Sequence, residues 1–110
     1  MTGFTTAVSR DIEGHPVLDV AGDVDLVSAD ALVAAALDLP RENGDANHRL
    51  DLSGVTFIDS TGVGALIRIR NDALQQGRSL RLVAVSRHVV RTLEITGLGD
   101  TFGVDRDGPG

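Results

Sequence analysis

The chain has 110 residues, of which 42% are hydrophobic, 24% charged and 3% aromatic, and its formal net charge is −6. This length suits one domain, expected over residues 4–104, and the apolar fraction is that of a globular protein rather than a disordered one. It contains no cysteine, and all ten basic residues are arginine. Disulfides, thiolate nucleophiles, cysteine zinc sites and every lysine-based chemistry are therefore excluded. The negative charge speaks against a nucleic-acid or anionic-membrane surface. No apolar run nears the roughly 20 residues of a membrane span, and no basic-then-apolar leader opens the chain, so a cytoplasmic location is expected. The acids concentrate in residues 1–65, which carry eleven of them against three arginines; residues 66–110 carry five against seven.

The first element is a strand over Phe4–Val8, of β-favouring composition. Asp11–Pro16 reads as a turn, and Val17–Ala21 as a second strand paired with the first in a hairpin. Gly22 is expected to end it and lead into a polar loop of Asp23, Val24 and Asp25. Ser28 is a good N-cap for a helix over Ala29–Leu39, whose Leu32, Ala35, Ala36 and Leu39 share one face. Pro40–Asn47 follows as a polar loop.

A third strand is expected over His48–Leu52, ending before Ser53-Gly54, although His48 and Arg49 are polar for a buried parallel strand. Val55–Ile58 then leads to Asp59-Ser60-Thr61-Gly62. A second helix runs from Thr61 to Gln76, with Val63, Leu66, Ile67 and Leu74 as its buried stripe and Ala73 beside them. Arg68 and Asp72 are spaced as an exposed i, i+4 pair, and Gly77 is the C-terminal stop. Leu80–Val85 is the fourth strand. Ser86 caps a third helix, Arg87–Thr96, which Gly97 ends. Asp105–Gly110 reads as a frayed, flexible tail.

The order β-β-α-β-α-β-α predicts an α/β fold with a mixed sheet of four or five strands and helices packed against it. In such folds sites gather at the carboxyl ends of strands and the amino ends of helices. Those places are Asp23–Asp25, Asp59–Gly62 and Ser86–His88.

Asp59-Ser60-Thr61-Gly62 is the most informative stretch. A serine at a strand–helix junction ordinarily caps the helix, a role worth about 0.5–2 kcal/mol. Gly62 and Gly64 raise the cost of the helix, since Gly is up to about 1 kcal/mol worse than Ala inside one. Either something approaches the backbone there, or the turn packs tightly on the sheet. A helix N-terminus also tolerates phosphate on Ser60, because its free N–H groups and partial positive charge favour an anion.

Leu50-Asp51-Leu52-Ser53-Gly54-Val55-Thr56-Phe57-Ile58-Asp59-Ser60-Thr61-Gly62-Val63-Gly64 resembles the core motif of the STAS domains, specifically the bacterial anti-sigma factor antagonists. Gly22-Asp23-Val24-Asp25 resembles the family's Gly-Glu-Leu-Asp loop. Val89–Leu98 resembles its third helix and Thr-Gly-Leu end. The similarity spans about Phe4 to Val104.

The resemblance implies a partner switch. The serine matching Ser60 is phosphorylated in that family by the anti-sigma factor, an ATP-binding serine kinase. The unphosphorylated form binds the anti-sigma factor and frees the sigma factor; the phosphorylated form does not bind, and a phosphatase resets the switch. The domain itself is then no enzyme and needs no cofactor. Asp25 matches a loop aspartate near the phosphorylation site, Asp59 belongs to the motif, and Asp23, Thr61, Gly62 and Gly64 complete the expected surroundings. Asp25 is expected to serve that site rather than the core, so Asp25→Ala should leave the thermal midpoint nearly unchanged. Position 61 is Thr where many relatives have Ser, so Thr61 is a second possible acceptor.

Other chemistries fit less well. Ser60 lacks the Gly-x-Ser-x-Gly setting of many serine hydrolases. Gly62-Val63-Gly64 has Ile67 where a dinucleotide fingerprint needs glycine. His15, His48 and His88 have no metal-ligand spacing, and no metal is expected. Arg87, His88 and Arg91 form a basic patch that is either a solvated helix face or a contact to an acidic partner or phosphate. The alternative function is a STAS interaction module of a stress-sensing or lipid-transport complex, without the phospho-switch.

Overall fold

The computed structural model describes residues 3–43 and 47–104. Its elements are strand β1 (Thr5–Arg10), strand β2 (Pro16–Val24), helix α1 (Ala29–Asn43), strand β3 (His48–Ile58), helix α2 (Ser60–Gln75), strand β4 (Leu80–Val85) and helix α3 (Arg87–Ile95). The strands form one four-stranded sheet in the order β1-β2-β3-β4. β1 runs antiparallel to β2, while β2–β3 and β3–β4 are parallel. The expected mixed α/β sheet with packed helices is therefore present, with four strands. The expectation of a flexible tail at 105–110 lies outside the described residues.

Right-handed β2-α1-β3 and β3-α2-β4 crossovers, moving in one direction along the sheet, place α1 and α2 side by side on one face. Leu18, Val20 and Val24 of β2, Leu50, Leu52 and Ile58 of β3, and Leu32, Ala36, Leu66 and Ile69 of the helices make a continuous core there. Arg68 on α2 binds Asp30 on α1 at 3.0 Å across the outer seam. The expected Arg68–Asp72 pair is replaced by this contact, and Asp72 instead accepts from Gln76. The α2 stripe is also rotated from expectation. Gly62, Val63, Ala65, Leu66, Ile69 and Ala73 are buried, whereas Leu74 is 50% exposed. Contact with both the sheet and α1 draws the small residues inward and leaves Leu74 out.

Several boundaries differ from the sequence reading. β2 does not stop at Ala21 but continues through Gly22 and Asp23 to Val24. β3 does not end at Leu52 but runs unbroken to Ile58. The β2–β3 register shifts between Asp19 and Ala21, so Ser53-Gly54 is absorbed as an irregularity inside the strand instead of breaking it. α1 passes through Pro40 to Asn43 where a loop was expected from Pro40. Pro40 has no N–H to give the carbonyl of Ala36, and His48 Nδ1 takes that carbonyl at 2.8 Å. His48, polar for its position, is thereby buried and held.

Both later helices stop as expected. Gly77 and Gly97 have φ of +71° and +75°. Beyond them, Arg78 N–H reaches Ala73 O and Leu98 N–H reaches Leu93 O, closing the bonds of a Schellman end. α3 starts at Ser86, whose hydroxyl accepts from Val89 N–H, and it packs on β3 through Val89 and Leu93.

Candidate functional site

Three segments converge at the carboxyl end of the parallel strands. Val24 ends β2, Ile58 ends β3, and the two are register partners. The chain then turns at Asp59 directly into α2. Asp59 N–H donates to Val24 O at 3.3 Å. This bond ties the loop after β2 to the start of α2.

Asp59, not Ser60, is the N-cap of α2. Its backbone is extended, and its Oδ1 accepts from Gly62 N–H at 2.9 Å. A carboxylate at this position also meets the positive end of the helix dipole. Ser60 is consequently the first helical residue. Its side chain is exposed, and its hydroxyl makes no hydrogen bond among the described residues. Thr61 is half-buried. The expected capping role of Ser60 is thus carried by its neighbour, and the Ser60 hydroxyl faces solvent.

The two glycines answer different demands. A Cβ on Gly62 would lie 2.5 Å from Val24 O and 2.7 Å from Ile58 Cγ1. Gly62 is therefore required by tight packing of the helix start on the sheet. A Cβ on Gly64 would meet nothing within 4 Å. No internal contact accounts for glycine there.

Asp23 lies within β2, and its carboxylate accepts from Thr56 Oγ1 of β3 at 2.9 Å. This brace fixes the strand segment that delivers Val24. Asp25 organises the following turn. Its Oδ1 accepts from Val27 N–H at 3.0 Å and from Ser28 N–H at 3.3 Å. Ser28 is buried and its hydroxyl donates to Asp23 O at 2.8 Å, while Ala29 N–H reaches Asp25 O. Asp25 thus holds the entry to α1 through local bonds, and its carboxylate has no recorded contact with Ser60. The sequence reading did not assign it these bonds.

The turn that Asp25 builds displays Leu26 and Val27 at 77% and 90% exposure. They stand at the same end of the sheet as Ser60. The sequence reading passed over them; an apolar pair inside an otherwise polar loop was the available signal. Phe57, 42% exposed, was missed as well. It alternates away from buried Ile58, and its ring lies 5.5 Å from that of His88 on α3.

The remaining histidines are accounted for elsewhere. His48 is buried against α1. At the β1–β2 turn, Asp11, Glu13 and His15 bring ligand atoms within 4.8 Å of one another. Asp11 Oδ1 accepts from the N–H groups of His15 and Glu13, and Oδ2 lies 3.3 Å from His15 Nδ1. These bonds, the His15 amide first, hold the Asp11 carboxyl below its ordinary range. They are sufficient to explain the group as a brace of the hairpin. It sits at the opposite end of β2 from Ser60.

No described helix is long and apolar enough to cross a membrane. A family model described as "Mlab, STAS domain" matches residues 8–104. The chain is similar to the anti-sigma-B factor antagonist of Bacillus subtilis (strain 168), with 31% identity over 93 residues covering 84% of each chain. It is 34% identical to the anti-sigma-B factor antagonist of Listeria monocytogenes over 91 residues, 83% of this chain and 78% of the relative. Among solved structures, that of an anti-sigma factor antagonist from Mycobacterium paratuberculosis matches with a TM-score of 0.76 and 28% identity, covering 97% of this chain and 89% of that one. The anti-sigma factor antagonist SpoIIAA in its unphosphorylated form shares the fold at a TM-score of 0.65 and 19% identity, covering 87% and 84%.

Proposed function

Because this chain belongs to the STAS domain family, alongside the anti-sigma factor antagonists, we propose that it is an anti-sigma factor antagonist switched by phosphorylation of Ser60. Unphosphorylated, it docks on an anti-sigma factor through the surface around Ser60 and so releases the sigma factor. The partner carries the ATP and the kinase activity, and a phosphatase restores the free serine. This chain acts by binding and has no catalytic role of its own.

The observation that carries the reading is the division of labour between Asp59 and Ser60. Asp59 satisfies the helix end, so Ser60 is exposed and free of any structural bond. A phosphate on it costs no cap. The N–H groups of Ser60 and Thr61 stand in the first turn, where an anion is favoured. Asp59 beside it opposes the added charge, so the fold stays essentially unchanged. A docked partner, by contrast, must desolvate about −1.5 to −2 units of charge. Exposed Leu26 and Val27 supply apolar contact area near the switch, as expected at an interface core. Asp23, Asp25 and Gly62 act indirectly, by fixing the segments on either side of Ser60; open Gly64 leaves room for a partner's backbone.

The test is incubation with ATP and the cognate anti-sigma factor, followed by mass spectrometry and binding measurements. One phosphate on Ser60 is expected, none on Ser60→Ala, and poor binding by Ser60→Asp. Phosphate on Thr61 would move the switch by one residue. The matching family model is described by its STAS domain and names no anti-sigma factor, which favours one second reading, a STAS interaction module of another complex without the phospho-switch. Equal partner binding by wild type and Ser60→Asp would select that reading.

A further inference from the structure

We infer that the outer face of α3, together with Phe57, is a second docking surface, and that it takes an acidic segment of a partner protein. The inference stands apart from the Ser60 reading. Val89 and Leu93 fix the inner face of α3 against β3. At 100° per residue the opposite side carries Arg87, Arg91, Ile95 and His88 as one stripe, bordered beside Arg87 by the half-buried Glu94. All four are exposed, Ile95 at 76%. The His88 ring meets that of Phe57 at a tilt of 41°, which extends the stripe onto the sheet.

Three features separate this stripe from an ordinary solvated face. First, its charges stand at the wrong end of the helix. The first turn contains no acid and the last turn no base, so Arg87 and His88 face the positive end of the dipole. Second, neither Arg87 nor Arg91 has an ionic partner among the described residues. Third, two arginines and an exposed aromatic ring form the composition that protein interfaces concentrate.

Charge complementarity selects the occupant. The chain carries −6 overall, so an extended polyanion such as nucleic acid or an anionic membrane is repelled by most of the surface. A short acidic segment meets the stripe alone. Guanidinium groups at i, i+4 suit paired carboxylates, which they hold bidentately. Phe57 and Ile95 give apolar side chains of the same segment a place to rest.

The experiment titrates the isotope-labelled full chain at low salt with a synthetic peptide of repeating Glu-Asp-Leu. Amide shifts confined to Phe57, Arg87, His88, Arg91 and Ile95 are expected. Arg87→Gln/Arg91→Gln should weaken binding by about tenfold or more, since it removes both charge-assisted contacts. The same charge change placed off α3, with Arg70→Gln on α2 and Arg78→Gln in the turn before β4, should weaken it less than about threefold. Arg87 and Arg91 are exposed and Arg70 and Arg78 half-buried, and the thermal midpoints of both double variants establish that they fold. Shifts spread over the surface, no shifts at all, or equal loss in both double variants would overturn the proposal. So would tighter binding of heparin or of phosphatidylserine vesicles than of the peptide, which would make the stripe a polyanion site.

Discussion

His48 Nδ1 donates to the carbonyl of Ala36 across twelve residues of sequence, at 2.8 Å and in the core. The carbonyl is available because Pro40, four residues further along α1, has no N–H to offer it. The ring therefore holds its proton on Nδ1, and Nε2 is buried with no partner among the described residues. One side chain at the first position of β3 completes a helix that its own sequence interrupts.

This arrangement predicts a thermodynamic coupling. His48→Leu should cost about 1–3 kcal/mol, chiefly by orphaning the buried Ala36 carbonyl. In a domain of this size that lowers the thermal midpoint by about 4–8 °C per kcal/mol. Pro40→Ala restores an N–H four residues from Ala36. The double variant should therefore be more stable than the sum of the single changes by at least about 0.5 kcal/mol. Strict additivity in denaturant titrations would refute the coupling.

The cap assignment separates two adjacent residues. Asp59→Ala should cost about 0.5–2 kcal/mol, because it frees Gly62 N–H and removes a favourable charge from the helix start. Ser60→Ala should stay within about 0.5 kcal/mol of wild type, as a surface change does. Unfolding midpoints of the two variants decide it. A larger loss for Ser60→Ala would return the cap to the serine.

The two glycines of α2 should respond in opposite directions. Gly62→Ala drives a methyl into Val24 O and Ile58, both backbone-fixed or core atoms, so clear destabilisation is expected, above about 1–3 kcal/mol. Gly64→Ala enters open space and should gain up to about 1 kcal/mol of helix propensity. If Gly64 lies under a docked partner, the same variant binds more weakly while being more stable. Circular dichroism melts and partner titrations on one preparation read both effects.

Asp25→Ala removes the acceptor for Val27 and Ser28 N–H at the entry to α1. A loss of about 0.5–2 kcal/mol is expected, the range of a missing cap. Partner binding should weaken too, since the turn presents Leu26 and Val27. Loss of binding with an unchanged thermal midpoint would instead place the carboxylate itself at the interface.

Phosphorylation of Ser60 should leave the fold intact. The helix N-terminus favours the anion and Asp59 opposes it, so the thermal midpoint is expected within a few degrees of the unmodified protein. Salt should alter that small difference by screening both terms. A cooperative unfolding transition lost on phosphorylation would mean that the switch works by melting the domain rather than by excluding the partner.

Element order, sheet type and the strand–helix junction at Asp59-Ser60 were legible in the chain, because they rest on short-range signals. Apolar alternation marks β2, Gly77 and Gly97 end helices locally, and Ser86 caps three residues ahead. What the sequence alone misplaced depended on partners distant in sequence. Pro40 reads as a helix end until His48 answers the carbonyl it frees. Gly22 reads as a strand end until β3 pairs alongside and Thr56 braces Asp23. Arg68 reads as a partner of Asp72 until α1 brings Asp30 within reach. Asp59 and Ser60 are both good caps by residue type; the extended backbone at Asp59, tied to Val24 O, gives the bond to the carboxylate. A local rule fixes which groups need partners, whereas only the folded chain decides which partner is close enough to be used.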